Sequence, residues 1–131
     1  MNPVEAVSSA DGLSAEVAAG PHRFKAGAGA GVPGGDAGVE PHELLAAALA
    51  ACGAMTVTLY AKRKGWKLEN ASVTVTAEAG PEGFNLRKTV TLSGTLSVEE
   101  KERLLQVADR CPVHKTLGES IRIVTTPLDE D

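Results

Sequence analysis

Apolar residues recur every three or four positions from Pro41 to Lys64. Leu44, Leu45, Ala48, Leu49, Cys52, Met55, Thr56 and Leu59 fall on one stripe, the spacing of one face of an α-helix. Pro41 suits the first turn and Gly65 the stop, so the pattern predicts a helix over 41–64. Lys62, Arg63 and Lys64 crowd its end, where positive charge complements the helix dipole. Ala46, Ala47, Ala50, Ala51 and Ala54 flank the stripe, leaving the helix apolar round most of its circumference. Such a helix is buried on more than one side, here by its own sheet and by another subunit. Cys52 is expected on the buried stripe.

The remaining pattern alternates with period two. Residues 3–8 and 13–19 read as strands around the turn dipeptide Asp11-Gly12, and His22 to Ala26 as a third. Six glycines between Gly27 and Gly38, with Pro33 among them, exclude an element interior and predict a surface loop. A phosphate-binding loop would need a Lys-Ser/Thr ending, which this segment lacks. Val73, Val75 and Ala77 oppose Thr74, Thr76 and Glu78. After the turn Gly80-Pro81-Glu82-Gly83, Leu86, Lys88, Val90 and Leu92 oppose Arg87, Thr89, Thr91 and Ser93. Ser97 and Glu100 form a capping box for a helix to about Arg110, with Leu104, Leu105, Val107 and Ala108 inward. Pro112 opens a short turn of helix closed by Gly118. A last strand is expected over 120–126, then a fraying acidic tail, Asp129-Glu130-Asp131. The class is α+β with mostly antiparallel pairing, as a single domain over residues 1–131.

Composition narrows the functions. At 131 residues, 43% hydrophobic and 23% charged, the chain can bury a core without staples. Only 3% of residues are aromatic and the net charge is −4. It therefore lacks the stacking platforms and basic footprint of a nucleic-acid binder. No apolar run reaches the roughly 18 residues of a membrane span, and the N-terminus has no signal-peptide pattern. The expectation is a cytoplasmic protein with no nucleic-acid or membrane partner. There, a pair of thiols is more often catalytic or sensing than structural.

The two cysteines carry the candidate chemistry. Cys111 stands before Pro112 at a helix start, where backbone N–H groups favour a thiolate, and His114 follows three residues on. Cys52, mid-helix, gains nothing from a helix end and needs a cation from elsewhere, with Arg23 and Arg87 as candidates. A lone cysteine on an apolar face is usually core. Cys111-Pro-Val-His114 with Cys52 and His42 could furnish a zinc set, but only one tight local ligand pair is present where structural zinc sites use two. Neither a metal nor a cofactor is expected.

PHELLAAALAACGAMTVTLYAKRKGW, followed by two strands, a helix and DRCPVHKTL, resembles the OsmC/Ohr family of osmotically inducible and organic-hydroperoxide-resistance proteins. The likeness covers about residues 20–126, with Gly34-Gly35-Asp36 fitting as well. It implies an OsmC-like fold in which two protomers intertwine as a homodimer, the long cysteine helices lying centrally. It also implies reduction of organic hydroperoxides, with Cys52 as the attacking thiolate and Cys111 as the resolving thiol, the disulfide being re-reduced by an external dithiol. The family's glutamate follows the helix-start proline directly. Here His42 takes that place and Glu43, the catalytic candidate, comes one residue later, about 100° around the helix. Local electrostatics favours Cys111 as the more acidic thiol and the resemblance favours Cys52. The second reading is a non-catalytic member binding a small hydrophobic ligand at the dimer interface.

Overall fold

The structure, a computed structural model, describes residues 1–127. Its elements in chain order are β1 (Val4–Ser8), β2 (Ser14–Ala19), β3 (His22–Gly27), α1 (Pro41–Lys64), β4 (Lys67–Gly80), β5 (Gly83–Thr95), α2 (Val98–Ala108) and α3 (Pro112–Gly118). The α+β class and the long cysteine-bearing helix are as the sequence predicts. The residues group into two compact units. The first comprises Met1–Ala48 with Val75–Arg87, and the second Leu49–Thr74 with the chain from Lys88 onward.

The first unit is built on an antiparallel sheet in the order β1-β2-β3. Asp11 makes its first turn by accepting from the Leu13 amide at 3.0 Å and the Ser9 hydroxyl at 2.6 Å. The glycine-rich segment is tied down by backbone hydrogen bonds, Gly27 N–H to the Val39 carbonyl and Gly29 N–H to the Gly35 carbonyl among them. Ala26 and Val39 form a parallel bridge, and a Cβ on Gly38 would run into the Lys25 carbonyl. Glycine is required there because two backbones meet.

In the second unit Val57 and Ala61 of α1 pack on Leu104 and Ala108 of α2. Trp66, just before β4, and Leu68, Val90 and Leu92 of the strands close the core. Ser97 and Glu100 form the expected capping box, and α2 ends at Ala108 with Asp109 as its cap, just short of the expected end near Arg110. Leu105, expected inward, is exposed, while Leu104, Val107 and Ala108 are buried. Gly94 of β5 has φ +139°, and a Cβ there would strike the Lys67 carbonyl of β4. Both the dihedral and the contact demand glycine. Gly94→Ala is expected to cost about 3 kcal/mol in urea unfolding. Gly118→Ala, with open space around its Cβ position, should change stability far less.

Three expectations are corrected. The buried stripe of α1 is Ala46, Leu49, Gly53, Val57 and Ala61. Leu45, Met55 and Leu59 face outward, and Cys52 is half-buried at the border. Residues 120–126 form no strand, because an extended segment needs a neighbouring ladder to accept its N–H and C=O groups. Ile123 and Val124 there are 87% and 80% exposed. By length and composition α1 is also apolar enough to cross a membrane. The expectation that no apolar run reaches that length does not hold for this helix, although the core helix of a soluble protein passes the same test. The acidic tail Asp129–Asp131 lies outside the described residues.

Candidate active site

Cys52 and Cys111 both belong to the second unit, and each influences the acidity of the other. Both are free thiols, Cys52 half-buried and Cys111 buried. The first turn of α3 serves both. Pro112 has no N–H to offer, so the next two amides turn towards sulfur. Val113 donates to Cys52, and His114 donates to the Cys111 sulfur at 3.4 Å. One turn along α1, the Thr56 hydroxyl lies 3.9 Å from the Cys52 sulfur.

The two thiols are driven apart in acidity. Burial pushes the Cys52 thiol up, but the Val113 amide, the Cys111 thiol, the Thr56 hydroxyl and the Lys88 charge outweigh it and hold it below its ordinary value. Cys111 is completely buried. Burial, together with the charge on Cys52, raises its thiol above the ordinary value despite the His114 amide and Lys88. The helix start does serve Cys111 through the His114 amide, but burial outweighs it. The same helix end favours the neighbouring sulfur, and desolvation decides the rest.

The cation whose charge acts on both cysteines is a residue that sequence reasoning did not single out. Lys88 of β5 is 8% exposed along its side chain. Its ammonium donates to the Ala108 carbonyl and contacts His114 Nδ1, each at 2.8 Å, with Asp109 Oδ1 at 3.5 Å. The signal was present in the strand pattern, where Lys88 takes an inward place between Leu86 and Val90. Arg87 points the other way, is largely exposed and stands 3.9 Å from Glu78. Arg23 is exposed on β3 of the first unit.

Glu43 is exposed on the first turn of α1. Its carboxylate accepts from the Glu40 amide at 3.3 Å, and Glu40 in turn accepts from the His42 amide at 3.0 Å. His42 rests its ring on Phe84, 5.1 Å between centroids. These groups cap the helix, and none is among those acting on Cys52. Among the described residues no group of three or more His, Cys, Asp or Glu side chains could hold a metal.

With this geometry the family comparison has a clear meaning. A family model for OsmC-like proteins matches residues 34–126. The chain belongs to the OsmC-like family. Its fold is shared with the OsmC-like protein of Mycoplasma pneumoniae, at 25% identity over 90% of this chain and 87% of that one, with a TM-score of 0.75. An organic hydroperoxide resistance protein OsmC from Legionella pneumophila gives 27% identity over 89% and 88% of the two chains, with a TM-score of 0.64. One from Elizabethkingia anophelis gives 25% over 88% and 86%, with a TM-score of 0.68. No curated protein matches the sequence.

Proposed function

We propose that this OsmC-like protein is a thiol peroxidase that reduces organic hydroperoxides through Cys52 and Cys111. The observation that carries the reading is a pair of free thiols in one unit of an OsmC-like chain, Cys52 half-buried and Cys111 buried, with the Cys52 thiol held below its ordinary value and the Cys111 thiol above it. A thiolate is the nucleophile, and a protonated neighbour within reach is the resolving partner. The Cys52 thiolate attacks the hydroxyl oxygen of the peroxide, breaking the O–O bond. Sulfur becomes a sulfenic acid, and the departing alkoxide takes up a proton and leaves as the alcohol. The Cys111 sulfur then attacks the sulfenic sulfur, giving a disulfide and water once its proton joins the expelled hydroxide. An external dithiol, supplied in a reducing compartment such as the cytoplasm, returns both cysteines to thiols by exchange.

The organic half of the substrate has a place on the same helix. Ala54, Met55, Thr58 and Leu59 line a shallow apolar concavity of about 330 Å³, beginning within one turn of Cys52. Met55 and Leu59 are 60% and 53% exposed, and the segment carrying Ile121, Ile123 and Val124 lacks a strand partner. A homodimer would cover such surfaces. We assign Glu43 to the helix cap and give it no part in the chemistry.

The test is turnover with a dithiol reductant on cumene hydroperoxide, tert-butyl hydroperoxide and hydrogen peroxide. The two organic peroxides are expected to be consumed faster than hydrogen peroxide. Binding of an apolar ligand without consumption of any peroxide would favour the non-catalytic reading instead.

A further inference from the structure

The peroxidase reading leaves the source of the thiolate's countercharge to this chain's own residues. Lys88 reaches the site along an unusual path. Its stem crosses α1 at Gly53, the residue after the reactive cysteine, where a Cβ would lie 3.9 Å from Lys88 Cδ and 3.7 Å from Val73 Cγ2. Its ammonium is then fixed at 2.8 Å from the Ala108 carbonyl and 2.8 Å from His114 Nδ1, two residues that flank Cys111 at three positions either side. Since the ammonium has only donors, Nδ1 has to be the unprotonated nitrogen of the ring, with the proton on Nε2.

We propose that Lys88 supplies the positive charge that favours the Cys52 thiolate, and that His114, in the tautomer protonated on Nε2, is the positioning residue that fixes the Lys88 ammonium against the start of α3. An almost completely buried ammonium acts on a neighbouring anion with little screening by water. Its remaining partner, Asp109 Oδ1, is 3.5 Å away and its side chain is 69% exposed, so solvent weakens that competing carboxylate far more than it weakens Lys88. The alternative, that Lys88 only caps the C-terminus of α2 through the Ala108 carbonyl, makes the lysine structural. The two roles separate in their pH behaviour.

The groups that face the ammonium are Cys52 on α1, Asp109 at the end of α2, and Cys111 and His114 at the start of α3. The experiment follows iodoacetamide labelling of Cys52 against pH in the whole protein, with mass spectrometry separating Cys52 from Cys111. It rests on the peroxidase reading only for its significance, since no peroxide is added. Lys88→Met is expected to slow Cys52 labelling at neutral pH about tenfold, equivalent to a rise of one unit in the midpoint, with rates converging on wild type at high pH. Lys88→Arg should restore most of the neutral-pH rate, and His114→Leu should fall between Lys88→Met and wild type. Where Lys88→Met does not fold, Lys88→Gln carries the test, because it keeps a donor for Ala108 without the charge. An unmoved midpoint in a folded neutral variant, or a rate changed equally at every pH, would overturn the proposal. A wild type that consumes no peroxide while the labelling shift persists would sink the peroxidase reading and leave this inference standing.

Discussion

Cys52→Ser protein is expected to consume essentially no organic hydroperoxide, whereas Cys111→Ser should consume about one equivalent and stop with a sulfenic acid on Cys52. The asymmetry follows from the opposed acidities. Cys111 has no access to solvent, and burial with the Cys52 charge raises its thiol above the ordinary value. Removing Cys52 removes that neighbouring charge but leaves the burial, so Cys111 stays a poor nucleophile. Removing Cys111 takes from Cys52 one group that lowers its thiol, while the Val113 amide, Thr56 and Lys88 remain. Some slowing of the first turnover is therefore expected, together with a complete block at the second. Stopped-flow peroxide consumption followed by trapping with a sulfenic-acid reagent and mass spectrometry reads both. A sulfenic acid on Cys111, formed at wild-type speed in the Cys52→Ser protein, would exchange the roles of the two thiols.

The elements that were legible in the sequence are those whose signals are local. The helix over Pro41–Lys64 starts and stops where proline and glycine place it. Ser97 and Glu100 announce α2 by themselves, because a capping box needs only residues three apart. The pairing of Cys52 with Cys111 was carried by resemblance, since 59 positions separate them and no periodicity spans that distance. What periodicity could not decide was which apolar side of α1 is buried. Ala and Leu surround the axis, so the choice rests on Leu104 and Ala108 arriving from elsewhere in the chain. The thiol acidities were misjudged for a related reason. A helix end was credited only to the cysteine preceding it, while the Val113 amide serves the sulfur of a different element. Lys88 holds an inward strand position, but a lysine there shows its partners only once Ala108 and His114 are folded against it.

The protein is expected to sediment at twice its 13.5 kDa chain mass, and Leu59→Asp is expected to return it to monomer. The single chain leaves Leu45, Met55 and Leu59 of α1 uncovered, on the helix that also carries Cys52. A stable cover for so much apolar surface needs an obligate interface of at least about 2,000 Å² in total. A carboxylate placed there without a partner must be desolvated, which costs on the order of 4 kcal/mol, close to a thousandfold in dissociation constant. Ile123→Asp probes the terminal segment separately. Its backbone would still be able to pair with a neighbouring ladder, so a smaller weakening is expected. Sedimentation equilibrium across micromolar concentrations, with circular dichroism to confirm folding, distinguishes these results. A wild-type chain that remains monomeric throughout that range would remove the dimer. It would also leave the apolar face of α1 as a ligand surface, the arrangement the non-catalytic reading requires.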